Sequence, residues 1–108
     1  MRTLIALASL AAALGATAAS AQPQHLSDVA YIEASRCAGL ASSKAFASAD
    51  AKEMTKWLSA ERRGREEFIV EKADDAQRDA KSQADHANDY VKSQLQAELN
   101  GACASLKG

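Results

Sequence analysis

Two patterns of apolar residues divide the chain. The first is an unbroken run from Leu4 to Leu14, built of leucine, isoleucine and alanine with one serine. The second begins after Pro23, where apolar residues recur three and four positions apart among charged ones. That spacing returns side chains to one side of a 3.6-residue turn, so it marks helices with one buried face. Alternating β-branched runs joined by Asn-Gly turns, the mark of hairpin strands, are absent from the sequence. No proline follows Pro23, and Ala, Glu, Lys, Gln and Arg, all good helix formers, abound. The pattern predicts an all-α domain.

Ser27 is a good N-cap for a first helix, with Asp28 favourable in its first turn. Leu26 before the cap and Tyr31 inside it fit a hydrophobic staple. Val29, Ile32, Arg36, Leu40 and Ala47 fall near one face, with Cys37 beside that stripe and Gly39 next to it, and the helix is expected to end near Ala47. Asp50 to Glu53 reads as a carboxylate capping box opening a second helix. Met54, Trp57, Leu58, Phe68 and Ile69 form its stripe, with Glu61 and Arg65 paired between them at i,i+4. Gly64 costs about 1 kcal/mol inside a helix; it admits a packing point, a kink or a break, and the expectation is a continuous or bent helix. Asp74-Asp75 suits the start of a third helix with a narrow face of Ala76, Ala80, Ala84, Ala87 and Val91. Ser93 with Gln96 matches a capping box for a short fourth helix, whose inner face would be Leu95, Leu99 and Leu106. Asn100-Gly101 is a point of interruption.

The N-terminal run is an export signal in form. Met1 and Arg2 give a short positive region, and Ala19-Ser20-Ala21 has the small-x-small pattern that signal peptidase accepts. The cut is expected between Ala21 and Gln22. The apolar core is too short for a spanning helix, which needs about 20 residues, so no stable membrane anchor is expected after cleavage. Residues 1–21 are therefore read as a signal peptide, 22–26 as a flexible mature N-terminus and 27–108 as one helical domain. The expected location is periplasmic or secreted.

Cleavage would leave 87 residues with 12 basic and 14 acidic side chains. A balance that close to neutral gives no electrostatic case for nucleic acid or an anionic membrane. Large apolar residues are few, so the core is thin for a small domain. Cys37 and Cys103 then matter, because an oxidising compartment favours their pairing. Their bond would close a long loop and contribute about 4 kcal/mol. An intermolecular bond and a redox-active thiol beside Arg36 are the alternatives, without a C-x-x-C pair to support the latter. Helix lengths also bear on the pairing. Cys37 sits about 14 Å along the first helix, whereas an unbroken helix from Asp75 to Cys103 would run about 42 Å. A reversal near Ser93 brings Cys103 back to the height of Cys37. The expected architecture is a small bundle of three helices plus a short C-terminal fourth, stapled by one disulfide.

The segment from Tyr31 to Leu40, which contains Ser35-Arg36-Cys37-Ala38, together with Cys103 before Ala104-Ser105-Leu106, resembles a group of small exported helical proteins of proteobacteria. These carry an A/S-R-C-A segment in the first helix and a second cysteine near the C-terminus. The resemblance covers the two ends of the mature chain. It implies a helical fold and an exported location, and it transfers no functional site.

Reaction chemistry is sparse. There is no nucleophile elbow, phosphate-binding loop, H-E-x-x-H or EF-hand loop. His25 and His86 are the only histidines. His86, flanked by Asp85 and Asp89, lacks a second ligand at zinc spacing. No catalytic, cofactor or metal site is assigned, and no cofactor is expected. Arg62, Arg63 and Arg65 form the densest basic stretch, which reads either as a solvated face paired with Glu61, Glu66 and Glu67 or as an interaction surface. Trp57, the sole tryptophan, reads as a packing anchor or an interface anchor. These features point to a non-enzymatic exported protein that contacts another envelope or secreted protein. The alternative is a periplasmic protein that binds a small ligand or a metal.

Overall fold

The computed structural model describes residues 25–106; the expected signal peptide and its cleavage residues Ala19, Ala21 and Gln22 lie outside them. Within that range the chain is helical and contains no strand. Ser27 caps α1 (Asp28–Ser42), its hydroxyl accepting the Ala30 N–H at 3.1 Å. Leu26 packs against the core that holds Tyr31, as a staple should. The helix stops at Ser42 instead of running on to Ala47. Ser43 is the reason. Its hydroxyl donates to the Leu40 carbonyl at 2.7 Å and lies 3.3 Å from the Phe46 N–H, and such local bonds draw the backbone out of the helical ladder. The chain then turns through Ala47, which adopts a left-handed φ of 41°.

The second expected helix is two. α2 (Ala51–Glu61) ends before Gly64, whose φ is +79°, and α3 (Glu67–Asp85) starts well before Asp74. Gly64 therefore breaks the helix, because the chain reverses through a conformation that only glycine adopts freely. Phe68 and Ile69 belong to α3, not to the stripe of α2. The next break falls at residues 86–88, before the expected Ser93. Asn88 is the N-cap of α4 (Asp89–Glu98), its side chain accepting the Val91 N–H at 2.9 Å. Asn100-Gly101 does not interrupt the helical path. A π-helical turn, Leu99–Cys103, carries the chain on into the short α5, Ala104–Leu106.

The pairings fix the topology. Asp28 at the start of α1 meets Arg65 just before α3 at 2.8 Å, and the Lys44 N–H just beyond α1 meets Asp85 at the end of α3 at 2.7 Å. These two helices are thus parallel neighbours, with α2 packed against α1. Their contact is the most extensive in the fold. Gly39 makes it close: a methyl group there would collide with the Gln77 carbonyl. The buried face of α1 runs through Tyr31, Ala34, Cys37, Ala38 and Ala41, whereas Val29, expected on that stripe, is 73% exposed. One core cluster joins that face to Met54, Leu58, Ile69, Ala73 and Cys103. A second joins Leu40, Ala80, Ala84 and Leu95. Leu99 packs against both. Cys37 and Cys103 form the expected bond, with Cα atoms 5.7 Å apart and a separation of 66 positions in sequence.

Two glycine substitutions should separate close approach from backbone conformation. Gly39→Ala must push α3 away from α1 and should cost about 3 kcal/mol in denaturant unfolding. Gly64→Ala meets no neighbouring atom, so it should cost only the left-handed conformation, about 1 kcal/mol. Replacing both cysteines by serine should remove about 4 kcal/mol and make melting insensitive to reductant.

Candidate functional site

The arginine cluster does three different things. Arg65 folds back over the entrance to α1 and is nearly saturated with partners. Its Nε donates to the Glu61 carbonyl at 2.7 Å, Nη1 to Asp28 at 2.8 Å, and Nη2 to the Leu26 carbonyl at 2.8 Å and to Glu61 Oε1 at 2.9 Å. The guanidinium also lies 4.4 Å from the centre of the Tyr31 ring, a cation–π contact. Glu61 Oε1 accepts the Leu26 N–H at 3.0 Å and lies 3.0 Å from His25 Nδ1. His25 and Leu26, expected in a flexible lead-in, are thereby tied to the end of α2. Arg62 pairs with Asp74 through both terminal nitrogens at 3.2 Å. Arg63 is exposed beside Gly64. The structure thus does not bring Arg62, Arg63 and Arg65 together as one basic surface.

Electrostatics follow from that clasp. Burial pushes the Glu61 carboxyl up, but the bonds from His25, the Leu26 N–H and Arg65 together outweigh it and hold the group below its ordinary 4.5. Burial raises the Tyr31 phenol. On the other side of α1, Arg36 grips Glu98 through two bonds of 2.7 and 3.0 Å, which raises the guanidinium further. That fork ties α4 to α1 one residue from Cys37.

Trp57 is half-buried against the main core cluster, the place of a packing anchor. His86 ends α3 and its Nδ1 lies 2.9 Å from the Ser82 carbonyl. Asp85 is held low by the Lys44 N–H and by Lys81. Among the described residues no three His, Cys, Asp or Glu side chains form a group able to hold a metal ion, and no helix is long and apolar enough to cross a membrane.

Two features escaped the sequence. Val29, Phe68 and Tyr90 are large apolar residues left exposed; Val29 and Phe68 sit in the first turns of the parallel helices α1 and α3, at one end of the bundle. A break at Gly64 is the signal that moves Phe68 off the α2 stripe. The second feature is a cleft of about 370 Å³ beside Cys103, between the loop after α1, the start of α2 and the π turn. Its walls are distant in sequence, so no local pattern announces it. No protein family matches the chain, and no curated protein or solved structure is found similar to it.

Removing Arg65 leaves the Glu61 carboxylate buried with fewer partners, and Arg65→Ala should cost about 3 kcal/mol. Because the Glu61 pKa is depressed in the folded state, its contribution is complete above about pH 4.5 and is lost as pH falls through the lower folded value. Wild-type stability measured from pH 7 to 3 should therefore drop more steeply than that of Glu61→Gln.

Proposed function

We propose that the chain is an exported, non-enzymatic accessory protein that acts in the periplasm or outside the cell by contacting another envelope or secreted protein. The observation that carries this reading is the Cys37–Cys103 bond, whose two residues are 3% and 2% exposed in the centre of the main core cluster. A structural disulfide of this kind belongs to an oxidising compartment, which agrees with the signal-like N-terminus. The mode of action rests on the surface that the bundle leaves over. Arg65, Glu61, Arg36, Glu98 and Asp85 hold elements of the bundle together, while Val29 and Phe68 stand exposed at one end of it. Large apolar side chains left exposed are more often used for contact than for chemistry.

Mass spectrometry of the periplasmic form should give a chain beginning at Gln22 and two hydrogens lighter than the dithiol. A photo-crosslinking residue at position 68 should yield one discrete adduct in cells, and the same residue at position 92 on α4 none. Phe68→Ser should abolish complex formation while changing stability by no more than about 0.5 kcal/mol. A cytoplasmic chain with two free thiols, or equal crosslinking from both positions, refutes the reading.

A further inference from the structure

Two hydroxyls on the inner face of α1 lack a protein partner. Tyr31 and Ser35 are 2% and 3% exposed, and among the described residues no hydrogen bond reaches either side-chain oxygen. Every side-chain polar atom sealed from solvent among these residues does have a partner, so the two oxygens must open onto space that solvent reaches. That space is a cavity of about 90 Å³ between α1, α2 and α3, which both residues line. Buried polar groups are nearly always hydrogen-bonded. Two unmatched hydroxyls on one cavity therefore mark a place where a molecule other than the protein completes the set.

Helical spacing builds the walls. Tyr31 and Ser35 on α1, and Thr55 and Ser59 on α2, stand at i,i+4, and Asp74 and Gln77 on α3 at i,i+3, so each pair shares one face of its helix. Thr55 and Ser59 direct their hydroxyl protons to the Ala51 and Thr55 carbonyls at 2.9 and 3.1 Å, which leaves their oxygens to accept. The Tyr31 and Ser35 hydroxyls both donate and accept, and so does the Gln77 carboxamide, which no side-chain bond engages among the described residues. The charged pair in the lining is self-contained. Arg62 and Asp74 hold each other through two bonds of 3.2 Å, half-exposed, and act on the Tyr31 phenol in opposite directions. The cavity is thus neutral and offers donors and acceptors together. An ion of either sign would leave water for a site with no unpaired countercharge.

We propose that this cavity binds one small neutral polyol of about the size of glycerol, its hydroxyls donating to Thr55 and Ser59 and exchanging bonds with Tyr31, Ser35 and Gln77. A volume of 90 Å³ equals that of about three waters in the liquid. Water makes the same bonds, but a polyol makes several of them through one immobilised molecule instead of several. Val29 and Phe68 do not line the cavity, so the site stands or falls independently of the contact reading above.

The test is an amide-resonance titration of the disulfide-bonded mature chain with glycerol, and in parallel with propan-1-ol and glycerate. Glycerol should shift Tyr31, Ser35, Ser59 and Gln77 saturably, with a Kd of about 1 mM. Propan-1-ol, with a single hydroxyl on the same carbon chain, and glycerate, which carries a charge, should each bind at least about fivefold more weakly. Tyr31→Phe keeps the ring beneath Arg65 and should weaken glycerol about fivefold. Ser59→Leu, from the exposed side of α2, should fill the cavity and abolish binding. Equal binding of the three probes, shifts centred away from these residues, no saturable shift because the cavity holds water only, or unchanged affinity in either variant overturns the proposal.

Discussion

The bond between Cys37 and Cys103 joins the middle of α1 to the end of the described chain, and it does so inside a core that has little else of size. Among the described residues, six of the fourteen buried apolar ones are alanine, each removing far less surface from water than a leucine would. Ordering a chain of this length costs conformational entropy that such a core offsets only narrowly. Cross-linking acts on the other side of that balance, by restricting the unfolded chain. It also fixes where the C-terminal segment must lie. Leu99 and Leu106 then pack against the main cluster, so the last residues of the domain contribute burial that a free tail would not.

Small side chains have their own consequence. Where Gly39 faces the Gln77 carbonyl and Ala80 lies beside it, two helices approach closely enough for backbone to meet backbone directly. Dispersion contacts grow with proximity, and this partly offsets the low area of alanine. The arrangement is correspondingly intolerant of added volume. Polar clasps complete it at the edges. Arg65 closes the entry to α1, and Arg36 with Glu98 secures α4. Arg65 and Glu61 are largely sheltered from solvent, which places their pairing above the usual worth of a surface ion pair. The Arg62–Asp74 pair, half-exposed, contributes much less.

The fold class is legible in the sequence because its signals are local: helix formers, caps and three-to-four spacing. Ser27 reads as a cap and is one, and Cys37 and Cys103 form the single intramolecular bond that two cysteines allow. Boundaries are lost where a single residue outweighs a continuous pattern. Gly64 outweighs an apolar stripe that runs in sequence from Met54 to Ile69, and Asn88 takes the cap assigned to Ser93. Arg65 reads as half of an i,i+4 pair, which it is. Its contacts with Asp28, the Leu26 carbonyl and Tyr31 join segments far apart in sequence, and no spacing rule reaches across such a distance. The cleft is illegible for the same reason.

The disulfide and the cleft are parts of one geometric solution. Cys103 lies two helical turns beyond Leu95. In a regular α-helix their side chains would diverge by about 80°, turning Cys103 away from the face on which Leu95 is buried. The wider winding of the π turn over Leu99–Cys103 takes back part of that rotation, and Leu95 and Cys103 are both buried. The same turn sets Asn100 and Leu99 along the cleft, with Gln96 one turn before. The irregular turn that carries Cys103 therefore also builds one wall of the opening. Cys103 belongs to all three at once: it closes the bond to Cys37, ends the π turn and lines the opening.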